Sequence, residues 1–465
     1  MKILPFGIRE LPQSPSLRKL IGPSFILLSM GLGSGEVILW PYLVSNWGFG
    51  LIWGVLVGLT LQFFMNMEIE RYSLARGESI FVGFARKSKI LPYWFIFSTF
   101  IPWMWPGLAA SSSTFISTSF GIQNTKILTI GILLLIGFIL SLGPVLYKTV
   151  ETTQKILITI GIPLIILIAL FIIDKNDVNA LINGLRGIGD GYRFIPPGMS
   201  LFSFLAALTY TGAGGNLNLA QSSYIREKGY GMGVYTDKIS GLFSSKKEDI
   251  TLCGNKFEIN PENISKFKKW WKNINIEHFS LFWVIGISTI FILSLLSYAT
   301  TYEANFKPEG INFAILESQI ISEVVGSIVG TIFLVILGLM LFATQLSVMD
   351  ATGRINSENI ALASRGKISE KKIPYVYYSV LWMQIIIGIL IYLFISQEPL
   401  QLVIISAVLN AFTMFIHVGL TYWVNYSTLE KPLRPGIFRT LMMIFTFLFY
   451  GGFSIYVLIN NIIKI

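Results

Sequence analysis

The chain has 465 residues, of which 53% are hydrophobic and 13% charged, and its formal net charge is +10. Soluble domains carry about 25% charge, and a mean hydropathy of +0.66 belongs to a membrane protein. A soluble enzyme, a disordered chain and a nucleic-acid binder are thereby excluded, and the basic balance reads as cytoplasmic loops between spans.

One cysteine, Cys253, excludes a disulfide framework and a thiolate metal cluster. Two histidines, His278 and His417, exclude a multi-histidine metal site. No apolar run precedes residue 20, so no cleavable signal peptide is expected.

In chain order, apolar segments fall at about 20–45, 49–68, 92–121, 126–146, 155–173, 198–221, 279–300, 322–348, 374–396, 400–424 and 437–461. A bilayer span takes about 20 residues, and helix is required because lipid pairs no backbone polar group. Eleven transmembrane helices are therefore expected. With the N-terminus in the cytoplasm, 29 of the 35 lysines and arginines lie on inner segments, as the positive-inside rule demands. The odd span count places the C-terminus outside. The expected organisation is a cytoplasmic tail (1–19), a first repeat of five spans (20–173), a second repeat of five (198–424) and a last span (437–461). A cytoplasmic insert, 224–278, joins spans six and seven. Its run Lys266-Phe267-Lys268-Lys269-Trp270-Trp271-Lys272 suits an interfacial helix on anionic headgroups. The plainer reading is a solvated connector.

Two spans are interrupted by small residues. Span one reads Ser29-Met30-Gly31-Leu32-Gly33-Ser34-Gly35-Glu36, and span six reads Thr209-Tyr210-Thr211-Gly212-Ala213-Gly214-Gly215-Asn216-Leu217-Asn218. Such glycine density weakens a helix, and carbonyls freed inside a membrane need an ion or a wet cavity. Spans one and six are equivalent positions in a five-plus-five inverted repeat, and paired broken helices point to a transporter's central site. Glycine used for close helix packing is the competing reading.

Glu36 is the sharpest residue, because an ionised carboxylate at that depth needs a cation, a proton or water. Asn216 and Asn218 add amide oxygens from the other break. Gln62, Asn66, Glu68, Glu70, Arg71, Gln345, Ser347, Asp350, Ser406, Asn410 and His417 read as helix–helix hydrogen bonds and interface pairs. The Pro102-Trp103-Met104-Trp105-Pro106 run reads as a kink with aromatic packing.

At the two breaks the sequence resembles the natural-resistance-associated macrophage protein (NRAMP) family of divalent-metal transporters, in a divergent form. That family carries Gly-Pro-Gly-Phe and then, eight residues on, Asp-Pro-Gly-Asn. Here Gly22-Pro23-Ser24-Phe25 is followed at that distance by Gly33-Ser34-Gly35-Glu36. The family's Met-Pro-His-Asn-Leu-x-Leu matches Ala213-Gly214-Gly215-Asn216-Leu217-Asn218-Leu219. The stretch from Tyr147 to Glu151 also resembles the family's fourth-to-fifth connection.

The resemblance implies an all-α polytopic protein of the LeuT-like inverted-repeat fold, with discontinuous helices 1 and 6. It implies alternating access at a mid-membrane site drawn from Met30, Gly33, Glu36, Tyr210, Ala213 and Asn216. The departures are as informative. The family's metal-binding Asp falls on Gly33, its Asn on Glu36, its Met on Ala213 and its His on Gly215. An oxygen-only set remains, centred on Glu36 and Asn216, and such sets suit hard cations like Mg²⁺, Mn²⁺ or Ca²⁺.

Glu36 is also the one evident central proton acceptor, so metal and proton are expected to compete there. The expected cargo is a divalent metal ion, with protons as a candidate second cargo and no resident cofactor. The expected setting is the plasma membrane lipid, without nucleic acid or an obligatory protein partner. The runner-up is a Na⁺- or H⁺-coupled amino-acid or organic-cation carrier of the same fold. A signalling relative lacks an output domain here, and no paired acids, nucleophile elbow or histidine cluster supports an enzyme.

Overall fold

The computed structural model describes residues 3–17, 20, 23–142, 146–236, 252–304, 306–395 and 398–462. Gly22 of the first motif and residues 237–251 of the insert lie outside the described residues. Described regular structure is almost wholly helical, with two pairs of two-residue strands.

The first expected span is built in series from α1 (Pro23–Gly31), a π-helical stretch (Leu32–Leu39) and α2 (Trp40–Trp47). Its glycines change the hydrogen-bond pattern to i→i+5 rather than opening the chain. The neighbours explain why. A Cβ on Gly35 would stand 1.7 Å from the Tyr210 carbonyl oxygen, and one on Gly31 would stand 3.0 Å from the Gly212 backbone. The run is therefore an interruption and a close-packing surface at once.

The second span is α3 (Trp53–Arg76), which ends at Gly77 in the left-handed region that glycine tolerates. After it come α4 (Ile80–Lys87), α5 (Leu91–Trp103) and α6 (Gly107–Phe120), the last two parted at the expected Pro-Trp-Met-Trp-Pro kink. Then come α7 (Thr125–Leu142) and α8 (Leu146–Ile172), whose backbone takes in positions 147–151. The chain turns by 112° into α9 (Lys175–Leu185). A reciprocal Asp174–Asp177 capping box starts that helix.

The sixth span breaks outright. Its halves, α10 (Leu201–Thr209) and α11 (Leu217–Lys228), are separated by Tyr210–Asn216, with Gly214 and Gly215 at φ +73° and +56°. The later elements are α12 (Pro261–His278), α13 (Ile285–Ser297), α14 (Asn312–Val324), α15 (Ser327–Ala363), α16 (Ile373–Phe394), α17 (Pro399–Thr428) and α18 (Ile437–Ile462). A π-helical turn, Phe279–Val284, joins α12 to α13.

Among the described residues, seven helical runs are long and apolar enough to cross a membrane, or eight with the bent pair Thr159–Ile172 and Lys175–Leu185. The first, third and sixth expected spans are not among them, and the third and sixth are each divided into two shorter helices. The protein is a multi-pass membrane protein.

The insert is not a free connector where it is described. Gly7–Ile8 of the tail pairs in parallel with Asn255–Lys256. The Trp270 indole donates to the Pro12 carbonyl at 2.7 Å, and the Leu4 amide donates to Cys253 Sγ at 3.3 Å. Phe267, Trp270 and Ile274 bury one face of α12, while Lys268, Lys269 and Lys272 stay exposed on the other, an amphipathic arrangement.

Candidate functional site

The interruptions in the first and sixth spans lie against each other, as Gly31–Gly212 and Gly35–Tyr210 show. Three other elements brace the break in helix 6. Gln62 of α3 donates to the Thr209 carbonyl at 2.9 Å, satisfying an end of α10 that the break leaves open. From α17, His417 Nε2 lies 3.0 Å from the Gly215 carbonyl, and Asn410 donates to the Tyr210 hydroxyl at 2.9 Å. From α5, Trp103 stacks on Tyr210 with ring centroids 5.2 Å apart. Tyr210 is further tied to Ser406 at 2.6 Å.

Asn216 opens α11 and is turned toward α5. Its amide donates to Ser98 Oγ at 2.8 Å and Thr99 Oγ1 at 2.9 Å, which leaves Oδ1 buried without a donor. Met30 and Ala213 are wholly buried. The Gly33 amide donates to Thr344 Oγ1 of α15 at 2.9 Å, and that hydroxyl donates to the Ser29 carbonyl at 2.8 Å.

Glu36 is 1% exposed, and neither carboxylate oxygen has a hydrogen-bond partner among the described residues. It lies toward Thr289 of α13, but that hydroxyl donates to the Ile285 carbonyl 2.8 Å away. No Lys or Arg pairs with Glu36 among the described residues. The structure thus places Glu36 and Asn216 on the two adjoining interruptions without joining them by a hydrogen bond. Among the described residues, no group of three or more His, Cys, Asp or Glu gathers as a metal cage. What the region offers a cation is one carboxylate plus neutral oxygens. Asn216, Asn218, Asn410 and Gln345 each bury an unsatisfied amide oxygen, a condition costing about 1–3 kcal/mol apiece when nothing answers it.

The sequence reading missed Ser98, Thr99 and Thr344. They are small hydroxyls in helices, a type that usually bonds its own preceding turn. Ser406, Asn410 and His417 proved to be packing and bracing groups, as read, and what they brace is the break.

The two ends of the bundle differ. At the end carrying the tail and insert, Asp350 accepts from Arg354 at 2.8 Å, Tyr377 at 2.9 Å and Tyr224 at 3.4 Å. Arg354 also donates to Glu227, Arg226 pairs with Glu358 at 3.5 Å, and Ser79 donates to Glu358. This knot ties α4, α11, α15 and α16. At the opposite end, Tyr42, Asn46, Phe202, Lys307, Glu398 and Gln401 line a cleft of about 790 Å³.

Solved structures share this architecture. A mutant form of the manganese transporter of Eremococcus coleocola superposes with a TM-score of 0.67 at 11% identity, covering 97% of this chain and 88% of that one. The same transporter bound to an aromatic bis-isothiourea substituted compound gives 0.65 at 11% identity, with the same coverage. MhsT in complex with L-phenylalanine gives 0.54 at 12% identity, over 97% of this chain and 99% of that one. The fold is LeuT-like. No protein-family model matches the sequence, and no curated protein matches it. At these identities the likeness establishes the fold, and the function has to be argued from the residues.

Proposed function

We propose that the protein is a secondary transporter or facilitator of a hard divalent cation, bound between the interruptions of helices 1 and 6. The observation that carries this reading is Glu36, a buried carboxylate without a donor or a cationic neighbour among the described residues. A bare carboxylate at bilayer depth costs about 2.5–3.5 kcal/mol on insertion scales, and a partly hydrated cation supplies the missing charge. Gly33, Met30, Tyr210 and Ala213 would shape the site and lend carbonyls, and Asn216 an amide oxygen. The likeness to a manganese transporter supports the same cargo class. In this reading the tail and insert face the cytoplasm, the cleft at the other end faces outside, and the membrane is the plasma membrane. Protons compete with metal for Glu36.

One observation favours a second reading. The stacked Trp103–Tyr210 pair beside the break is an aromatic surface of the kind that binds organic ammonium groups, so an amine-bearing substrate paired with Glu36 is the alternative.

Reconstituted uptake of Mn²⁺, Mg²⁺ and Ca²⁺ by the full chain, with amines as competitors, separates the two. Glu36→Gln should lose most divalent uptake while unfolding at the temperature of the parent chain. Undiminished divalent flux in that variant overturns the assignment. Flux inhibited by amines and indifferent to divalent ions selects the second reading.

A further inference from the structure

A second buried acid stands apart from Glu36. Glu70 of α3 is 0% exposed. Its Oε1 accepts from Gln221 of α11 at 2.9 Å and lies 3.3 Å from His278 Nδ1 at the end of α12. Its Oε2 is buried without a partner among the described residues. His278 Nδ1 also lies 2.9 Å from Ser24 Oγ of α1, and Ser24 donates its own proton to Glu277 at 2.5 Å. With that proton spent, the Ser24–His278 contact requires a hydrogen on Nδ1, shared between Ser24 and Glu70. The imidazole is sandwiched by Phe63 and Phe282, at 5.6 and 4.7 Å between ring centroids, and its Nε2 has no hydrogen-bond partner among the described residues.

The charges around this pair are committed elsewhere. On α3, Arg71 holds Glu68 at 2.7 Å, and from α18 Arg439 reaches Glu68 at 3.4 Å and Asn275 at 2.5 Å. On α11, Arg226 and Glu227 belong to the Glu358–Arg354 knot. The exception is Glu277 of α12, a second carboxylate beside the pair, which accepts from Ser24 and whose charge bears on Glu70. No ionisable residue lies in α1, in the turn Phe279–Val284 or in α13. Among the described residues no Lys or Arg pairs with Glu70. A carboxylate in that setting is costly unless a charge of opposite sign accompanies it, and a proton on the pair supplies one. Two vacant positions can take it, Glu70 Oε2 and His278 Nε2.

We propose that Glu70 and His278 form a one-proton binding site that latches the cytoplasmic half of the first helix shut. The latch joins four elements through one imidazole: α1 by Ser24, α3 by Glu70, α11 by Gln221, and the α12–α13 junction by His278 itself. Moving α1 outward removes Ser24 and admits water to the pair, which then has no need of the proton. The closed state therefore binds one more proton than the open state. Across the interval where only the closed state holds it, each rising pH unit favours opening by about tenfold. The inference rests on the transport reading only in taking this end as the one that opens. It is silent on the cargo.

The test is thiol labelling of the purified full-length chain in detergent, without divalent ions. A Ser29→Cys probe on α1 is placed in a Cys253→Ser background. Rates are normalised at each pH to those of the same chain denatured, which removes the reactivity of the thiolate itself. The normalised rate should climb with pH by up to about tenfold per unit. Adding Glu70→Gln, which keeps an acceptor for Gln221, should abolish the slope. His278→Gln should abolish it as well, and serves if the first variant does not fold. A flat profile in the probe chain, or a slope that survives either substitution, overturns the proposal. Because no cargo is present, absence of divalent flux would refute the cargo reading and leave this result standing.

Discussion

Alanine at position 35 tests the contact on which the central region is built. The added Cβ would stand 1.7 Å from the Tyr210 carbonyl oxygen and 2.5 Å from its carbon, where ordinary contact begins at 3.4 Å. The obstacle is main chain, so no rotamer change relieves it, and the two spans must part by about 1.7 Å. Overpacking costs about 1–3 kcal/mol, more where nothing can yield, and alanine's better helix propensity returns only about 1 kcal/mol. A net loss of about 2 kcal/mol or more is expected. Gly31→Ala meets the Gly212 backbone at 3.0–3.1 Å, an overlap that a shift of a few tenths of an ångström relieves, so it should be near neutral. Gly33→Ala falls between. Its Cβ would meet Thr344 Oγ1 at 2.4 Å and Thr344 Cβ at 2.6 Å, so rotating the hydroxyl gives up its bonds to Gly33 and Ser29 and still leaves an overlap that a shift of that residue must relieve. Thermal unfolding of the three variants in detergent, alongside flux, reads the order directly. If Gly35→Ala is as stable as Gly31→Ala, the two interruptions are not in contact and the central site has been misplaced.

Other expectations follow from buried charge. Arg354→Ala removes the cation that Asp350 and Glu227 share, leaving Glu227 with only the more distant Arg226 at 4.0 Å and Asp350 with none. Breaking such a pair costs about 3–5 kcal/mol, so the variant should unfold at a clearly lower temperature, with Arg354→Lys intermediate because it cannot bridge both acids in the same way. Outside the spans, Glu303, though exposed, is held above its usual carboxylate range, first by partial loss of hydration and then by Asp177 and Asp174. The folded chain therefore binds that proton more tightly than the unfolded chain, and the associated stability falls as pH rises above about 4.5. Glu303→Gln should flatten the loss of thermal stability between mildly acidic and neutral pH. An unchanged slope would show that the acids do not interact.

The membrane architecture was legible because lipid imposes one rule everywhere. Spans must be apolar and helical. The broken sixth helix was legible too, since Gly212, Gly214 and Gly215 beside two asparagines leave little helix propensity. The form of the first interruption was not. Gly31, Gly33 and Gly35 permit unwinding or close packing equally well, and the choice is made by Tyr210 and Gly212, about 175 residues away in sequence. The orientation of Asn216 was hidden for a similar reason, because it depends on Ser98 and Thr99 in another helix. The stripe Ser406, Asn410, Thr413, His417, Thr421 repeats at helical spacing, and that periodicity could have marked the inward face of α17.

The strap between the tail and the insert carries a cost in time. Leu4 finds its partner Cys253 249 residues later in the chain. Ribosomes add about 5–20 residues per second, so about 12–50 s of synthesis separate Leu4 from Cys253, whereas Arg86, which donates to the Leu4 carbonyl at 2.7 Å, follows it far sooner. Until Cys253 is made, the leading segment has Arg76 and Arg86 to hold it, at Leu4 and Phe6, and lacks only the insert.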